Sequence, residues 1–135
     1  MNLKIGNYLL DTNVLIDLKD DPAFAQRINP QSRLFIPSAA LGELYYGAEN
    51  SARPEENLAQ IERLLEEFRV LPVDFLTARW YGQIKAKLRR MGQLIPDNDL
   101  WIAALALQYQ FTLITDDLHF EHLHSLFPGF NFTSL

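Results

Sequence analysis

The chain contains no cysteine, and this absence excludes several kinds of site. Disulfide frameworks, thiolate zinc sites, iron–sulfur clusters and thiol nucleophiles all require cysteine. Long hydrophobic runs are missing as well, because Asp11 and Asp17 interrupt the apolar patches near the N-terminus. We therefore expect neither a signal peptide nor a membrane span, and we expect a soluble, cytoplasmic protein.

Basic residues are outnumbered, with 12 Lys and Arg against 17 Asp and Glu and a net charge of −5. This balance argues against a generic nucleic-acid binder, whose nonspecific affinity comes from cations that neutralise phosphates. The charge is unevenly distributed, however, because residues 75–96 contain no acid. The basic residues of this segment are Arg79, Lys85, Lys87, Arg89 and Arg90. They form either a solvated helix face or a patch that contacts phosphates.

The apolar content is sufficient for a folded domain. The chain has 135 residues, of which 48% are hydrophobic and 12% aromatic, and this size fits one domain with its own core. Short apolar runs predict strands at 8–10, 34–36, 70–73, 111–115 and 129–132. Helical patterns lie at 14–19, 22–28, 38–49, 54–68, 75–91 and 97–110. This alternation predicts a single α/β domain over residues 1–135, with a parallel sheet covered on both faces.

Two helix starts carry polar residues that are suited to capping. Ser38 follows Pro37 and is expected to cap the helix that begins there. Asp97 and Asp99 open the helix after Pro96, where the helix dipole favours acidic side chains. Capping explains one of these acids but not both, and we interpret Asp97 as the cap and Asp99 as a ligand.

Other acids stand where a parallel sheet presents its binding edge. Asp11 directly follows the first strand, with Asn13 beside it, and Asp116 and Asp117 follow the strand that ends at Thr115. Ligands of open α/β sheets bind beyond the carboxyl ends of the strands. A helix cap at Asp11 and a turn at the two later acids are the alternative interpretations.

Glu43 lies inside the helix predicted at 38–49, and its helical neighbours are unusual for a glutamate. They are Ala39, Ala40, Tyr46 and Gly47. Three of the four are small, so the carboxylate is expected to project into open space. An ordinary surface glutamate is the alternative.

The candidate acids together offer only oxygen donors, which suit Mg²⁺ or Mn²⁺. Carboxylates packed together repel one another, and a divalent cation removes that conflict. Such a site can activate water and stabilise the charge that develops during phosphodiester hydrolysis, without a side-chain nucleophile. His119 is expected to be packed or surface-exposed, and the histidines do not have the spacing of a zinc site.

Four segments of the chain carry a resemblance to a known family. They are LLDTNVLID at 9–17, GELYYGAENS at 42–51, DLWIAALAL at 99–107 and LITDDLHF at 113–120. In this order and spacing they resemble the PIN-domain ribonucleases, in particular the VapC toxins of toxin–antitoxin modules. The resemblance implies catalytic and metal-binding acids at Asp11, Glu43, Asp99 and Asp117, with small polar supporting residues at Asn13 and Thr115. The neighbouring acids Asp97 and Asp116 are further supporting candidates. Asp116 also remains an alternative to Asp117 as the fourth acid.

The resemblance further implies a three-layer α/β/α domain with a parallel sheet of strand order 3-2-1-4-5. Its implied activity is that of a Mg²⁺- or Mn²⁺-dependent endoribonuclease. For such an activity, the basic segment at 79–90, found from the charge distribution, is the candidate for RNA contacts. Its implied partners are a second copy of the chain, in a homodimer, and a cognate VapB-type antitoxin that crosses the active-site groove. Candidates for the groove or dimer surface are Leu44, Tyr45, Tyr46, Trp80 and Tyr81. Ordinary core packing is the alternative for these five.

Two other functions remain as alternatives. DTNVL at 11–15 loosely resembles the D-x-D-x-T motif of haloacid dehalogenases, in which Asp11 would be the nucleophile of an aspartyl-phosphate phosphotransferase. Asn13 and Leu15 stand in place of the second acid and the threonine, so the match fails where that chemistry needs it. The other alternative is a catalytically inactive PIN-like binding module, against which the four filled acidic positions argue.

Overall fold

A parallel five-stranded sheet organises residues 3–135, the part of the chain described by this computed structural model. The strands are β1 (Asn7–Leu10), β2 (Arg33–Pro37), β3 (Arg69–Leu71), β4 (Thr112–Ile114) and β5 (Phe132–Thr133). The α-helices are α1 (Thr12–Asp20), α2 (Ser38–Glu49), α3 (Pro54–Glu67), α4 (Phe75–Arg90), α5 (Asp97–Tyr109) and α6 (Glu121–Leu126). Two 3₁₀ helices lie at Pro22–Arg27 and Leu118–Phe120.

The strand order is β3-β2-β1-β4-β5, and every neighbouring pair is parallel. β1 is central, and Leu9 and Leu10 are fully buried, as expected for a strand covered on both faces. β2 and β3 are added on one side of β1, and β4 and β5 on the other, so the topological switch point lies between β1 and β4. Leu10 pairs with Ile114 there. The carboxyl edge at this switch point is where open α/β sheets bind ligands. The predicted α/β class and strand order are confirmed.

α5 is enclosed by other elements on most sides. Leu100 and residues 102–107 of this helix are all buried. The helix ends where Gln110 adopts a left-handed conformation with φ of 58°, which turns the chain into β4. Because the helix is fixed on most sides, its first turn is held rigidly beside the carboxyl edge of the sheet.

α4 is anchored to α5 at its N-terminus by Asp74. This carboxylate accepts the backbone N–H groups of Leu76 and Thr77, at 3.0 and 3.1 Å, and the side-chain amide of Gln108 at 3.0 Å. The Thr77 hydroxyl accepts the Asp74 backbone N–H in return, which completes a capping box. These hydrogen bonds, with that from the Thr77 backbone the largest, lower the pKa of Asp74 below its usual value.

The prediction that Ser38 caps α2 is wrong. α2 begins at Ser38 itself, and Pro37 takes the cap position without a side chain able to accept a hydrogen bond. The Ser38 hydroxyl instead accepts the backbone N–H of Val73 at 3.2 Å. β3 ends at Leu71, two residues earlier than predicted. β5 lies at the predicted sheet edge, but it begins three residues later than the apolar run at Gly129.

No helix within residues 3–135 is both long enough and apolar enough to cross a bilayer. Met1 and Asn2, which belong to the N-terminal segment considered above as a signal peptide, lie outside the described residues.

Candidate functional site

One pocket lies at the carboxyl edge of β1 and β4, closed by the N-terminal turn of α5 and by one face of α2. It is lined by Asp11, Thr12, Asn13, Glu43, Pro96, Asp97, Asn98, Asp99, Asp117 and His119. The four acids selected by resemblance therefore share one pocket, although they are separated by up to 106 residues along the chain. Asp116 is exposed and is not among the lining residues.

Asp11 combines two structural roles at the end of β1. It is the N-cap of α1, because its Oδ1 accepts the backbone N–H of Thr12 at 2.8 Å. Its Oδ2 accepts the hydroxyl of Thr115 at 2.6 Å, across the sheet. Asp11 is only 4% exposed. Burial raises the pKa of Asp11 despite both hydrogen bonds, and the nearby carboxylates of Asp117 and Asp116 raise it further.

Thr115 connects Asp11 to Asp117. The buried Thr115 hydroxyl donates to Asp11 and accepts the backbone N–H of Asp117 at 3.0 Å. Asp117 in turn uses its Oδ1 to accept the backbone N–H of His119 at 2.9 Å, which caps the short 3₁₀ helix that follows. This turn role, one of the alternatives considered for Asp117, coexists with a place in the pocket.

Asp99 projects from the first turn of α5 toward the same carboxylates. Its side chain is 14% exposed. Burial, as the largest cause, raises the pKa of Asp99 from 3.8 to about 6, and the charges of Asp11 and Asp117 act in the same direction. A hydrogen bond with His119 opposes this rise. Asp99 therefore lies both in the first turn of α5 and inside the pocket.

His119 lies in the acid cluster, a location that sequence reasoning missed. Its ring is exposed, as expected, but Nδ1 lies 3.2 Å from Asp99 Oδ2 and 3.0 Å from Asp117 Oδ1. The hydrogen bond with Asp99 is the main reason that the pKa of His119 is raised above its usual value. The only signal in the sequence was its position two residues after Asp117, at a strand end.

Glu43 reaches the pocket from α2, the element across from α5. Its Oε1 accepts the side-chain amide of Asn98 at 2.7 Å. Asn98 was not among the predicted site residues, although it stands between Asp97 and Asp99 in the sequence. The amide fixes the position of the Glu43 carboxylate without adding a charge.

The prediction that Asp97 caps α5 is wrong, because Pro96 occupies the cap position and no side-chain capping bond forms. The Asp97 carboxylate instead accepts the Tyr81 hydroxyl at 2.9 Å and the Lys85 ammonium at 3.3 Å. These contacts, with that from Tyr81 the largest, lower the pKa of Asp97 below its usual value. The two acids of this turn therefore have opposite environments, with Asp97 paired in solvent and Asp99 packed among like charges.

The donor groups of the pocket fit a hard divalent cation. Carboxylate oxygens predominate, and the buried hydroxyl of Thr12 has no hydrogen-bond partner within the described residues. Buried polar atoms without partners are rare in proteins and call for an explanation. Acids whose pKa values are raised by burial and by each other, as at Asp11 and Asp99, favour a cation among them.

The basic residues of α4 do not line this pocket. Lys85 does contact a lining residue, because its ammonium group donates a hydrogen bond to Asp97 at the rim of the pocket. Lys87 donates to the carbonyl of Leu126 at 3.0 Å and lies over the ring of Phe127. The remaining three, Arg79, Arg89 and Arg90, are exposed.

The five apolar candidates for a groove or dimer surface have different environments. Leu44 is buried in the core, whereas Tyr46 is 72% exposed. Tyr45, Trp80 and Tyr81 are partly buried against the core, and Tyr81 stacks on Trp101 with ring centroids 4.0 Å apart. Core packing therefore accounts for Leu44, and Tyr46 is available to a partner.

Comparisons with known proteins agree with one another. The sequence model of the PIN domain matches residues 8–125. Ribonuclease VapC2 of Haemophilus influenzae is 38% identical over 123 residues, which cover 88% of this chain and 93% of that protein. The tRNA(fMet)-specific endonuclease VapC of Shigella flexneri is 38% identical over a segment of the same length and coverage. A chain in the crystal structure of DNA-bound VapBC from Salmonella typhimurium superposes with a TM-score of 0.82 at 33% identity, over 96% of this chain and 98% of that one.

Proposed function

Because the chain belongs to the PIN-domain family, among the VapC ribonucleases, we propose that its acidic pocket is the active site of a metal-dependent endoribonuclease. The chain is an endoribonuclease of the toxin–antitoxin type. One observation carries the assignment of the site: Asp11, Glu43, Asp99 and Asp117 line one pocket at the switch point of the sheet. We further propose that one PIN domain accounts for residues 1–135, since β5 adds an edge strand beyond the matched segment.

We assign the cation to the carboxylates of Asp11, Asp99 and Asp117, with Glu43 completing the site from α2. When bound, a divalent ion such as Mg²⁺ or Mn²⁺ supplies a Lewis acid that neutralises phosphodiester charge and assists deprotonation of the attacking water. The raised pKa values of Asp11 and Asp99 support this assignment, since a cation would lower them again.

The protein's own contribution is to hold these carboxylates in place before the substrate arrives. Thr115 orients Asp11 through a buried hydrogen bond, and Asn98 orients Glu43. Asn13 lines the pocket as a neutral, exposed side chain suited to a phosphate or ribose oxygen. Side chains fixed in this way reduce the reorganisation needed in the transition state.

The proposed substrate is a structured RNA with an unpaired loop, and transfer RNA is the first class to test because two relatives are named for tRNA(fMet). Unpaired bases can be read individually, whereas paired RNA is recognised mainly by shape. The exposed Arg79, Arg89 and Arg90 are proposed phosphate contacts, with Lys85 and Lys87 in supporting positions on the same helix. We propose a cytoplasmic location together with this substrate.

The proposed partners are a VapB-type antitoxin and a second copy of the chain. Solved structures similar to this chain include VapBC complexes. A net charge of −5 and an acidic pocket suit an inhibitor that presents a basic side chain to the acids. The exposed Tyr46, on the helix that carries Glu43, is proposed to contact a partner at the edge of the pocket.

The test is cleavage of a panel of structured RNAs, including transfer RNAs, by the metal-stripped protein with Mg²⁺, Mn²⁺ or EDTA. Asp11→Asn and Asp99→Asn should abolish specific products, and Asp20→Asn, the same change at an exposed acid of α1, should retain them. Products that persist equally in EDTA and in both site variants would refute the proposed active site. A folded wild-type protein that leaves every RNA of the panel intact would favour the inactive PIN-like module.

A further inference from the structure

Among the lining residues of the pocket within residues 3–135, His119 alone offers a nitrogen lone pair that can bind a metal ion. One donor atom each from Asp99, Asp117 and His119 lies within 4.8 Å of the other two. The Nδ1 atom is 3.2 Å from Asp99 Oδ2 and 3.0 Å from Asp117 Oδ1. Neighbouring ligands of an octahedral ion with bonds of about 2.1 Å lie about 3 Å apart, so this spacing also suits joint coordination.

An ordinary hydrogen bond explains this arrangement only in part. Nδ1 carries at most one hydrogen, yet it faces two carboxylate oxygens. Asp117 Oδ1 already accepts the backbone N–H of His119 at 2.9 Å. A cation between the three groups would use a lone pair from each of them.

Core packing does not hold the ring in this place. The His119 side chain is 51% exposed, so it has room for other orientations. The hydrogen bond from its own backbone to Asp117 fixes where the side chain starts, and the two acids fix where the ring points. The ring orientation is therefore a property of the acidic site.

We propose that His119 donates a ring nitrogen to the divalent cation of the acidic pocket, together with Asp99 and Asp117, and that the site consequently prefers Mn²⁺ to Mg²⁺. This inference rests on the proposed function. Carboxylates accept both ions, whereas imidazole is a better ligand for first-row transition metals than for Mg²⁺. One nitrogen among oxygens therefore shifts the selectivity of the site without abolishing Mg²⁺ binding.

The test measures metal binding directly, on the full chain after removal of metals. Mn²⁺ affinity is obtained from the electron paramagnetic resonance signal of the free ion, and Mg²⁺ affinity from competition. Pulsed spectra of the bound Mn²⁺ report whether an imidazole nitrogen is coordinated. Isotope-labelled histidine shows, without any substitution, that this nitrogen belongs to a histidine, and the variants below show which one.

His119→Gln is the informative variant, and His122→Gln is its matched control. His122 lies on α6, is exposed and is not a lining residue of the pocket. We expect the nitrogen signal in the wild-type and His122→Gln proteins and its loss in His119→Gln. The Mn²⁺ affinity of His119→Gln should fall about tenfold or more, and its Mg²⁺ affinity much less, because glutamine still offers an oxygen.

Absence of the nitrogen signal from wild-type protein with bound Mn²⁺ would overturn the inference, as would an unchanged Mn²⁺ affinity in a folded His119→Gln variant. RNA cleavage measured on the same samples distinguishes failure of the His119 proposal from failure of the proposed metal site. If wild-type protein cleaves RNA in a metal-dependent manner without nitrogen coordination, only the role of His119 fails. If it neither binds Mn²⁺ nor cleaves RNA, the metal-site assignment fails and the role of His119 fails with it.

Discussion

Replacing Asp99 with asparagine should stabilise the metal-free protein at alkaline pH. The folded protein holds this carboxyl with a pKa of about 6, against a usual 3.8. Above pH 6 Asp99 is therefore ionised in the folded protein, where its charged form has a higher free energy than in the unfolded chain. Asparagine has a similar shape and no charge, so it removes this cost.

The size of the effect follows from the shift. A rise in pKa from 3.8 to about 6 corresponds to about 3 kcal/mol when both states are fully ionised. The Asp99 side chain is 14% exposed and lines an open pocket, so solvent screening reduces the expected gain to about 1 to 1.5 kcal/mol. For a chain of 135 residues this amounts to an increase in Tm of about 3 to 6 °C.

The sign depends on pH in a defined way. Between pH 3.8 and about 6 the folded state binds more protons at Asp99 than the unfolded state does, so wild-type stability from this group falls as pH rises. The advantage of Asp99→Asn should be nearly complete at pH 8.5 and mostly lost at pH 4. The hydrogen bond with Asp99 raises the pKa of His119, so this contact weakens as pH rises, and its loss in Asp99→Asn matters least at the alkaline end of the range.

Asp97→Asn is the matched control, because it makes the same change two residues away in the same helical turn. Both variants lose a favourable interaction with the dipole of α5, so their difference isolates the environment of each acid. Asp97 is paired with Tyr81 and Lys85, and its loss should destabilise the protein slightly. Thermal unfolding in EDTA provides the measurement. The reasoning is refuted if the two variants change stability in the same direction at pH 8.5, or if Asp99→Asn gains nothing.

Three further predictions concern other parts of the molecule. Thr115→Val should lower the free energy of unfolding by about 1 to 3 kcal/mol and reduce RNA cleavage, because the buried Asp11 loses a hydrogen bond. Unfolding in urea measures the first effect, and a cleavage assay measures the second. Asp74→Asn should reduce stability above pH 3.8, the pKa of this carboxyl in the unfolded chain. The difference from wild type should disappear as pH falls through the lower pKa of Asp74 in the folded protein, and melting curves across the acid range show whether the two proteins converge. Arg89→Ala with Arg90→Ala should weaken RNA binding and decrease its salt dependence, and unchanged binding isotherms at two salt concentrations would remove these residues from the RNA surface.

The sheet and the acids at its edge were predictable because they depend on local patterns. Apolar runs alternating with helical periodicity predicted the parallel sheet, and a parallel sheet brings its strand ends to one edge. Asp11 and Asp117 follow strands directly, so their meeting is a consequence of topology. Glu43 and Asp99 could be placed there only with the family resemblance, since helix orientation is set by packing between elements distant in sequence.

The predictions that failed are those in which a tertiary contact competes with a local rule. Ser38 suits a helix cap, but Val73 from the loop after β3 offers its N–H to the hydroxyl. Asp97 suits a cap, but Tyr81 and Lys85 of α4 hold its carboxylate away from the start of α5. Local capping preferences amount to about 1 kcal/mol, a quantity that one or two hydrogen bonds from another element can outweigh.

Asp11 shows how one residue can serve the fold and the site together. Its Oδ1 caps α1 and its Oδ2 joins β1 to the end of β4, so both oxygens have donors in the metal-free protein. Burial nevertheless raises its pKa, which means that two hydrogen bonds do not fully compensate for the loss of solvent and the nearby acids. The fold therefore tolerates a poorly solvated carboxylate at the position where a cation would stabilise it. Helix capping and the proposed metal binding are therefore compatible roles for Asp11. The hydrogen bonds orient its carboxylate, and the negative charge of the carboxylate attracts the cation.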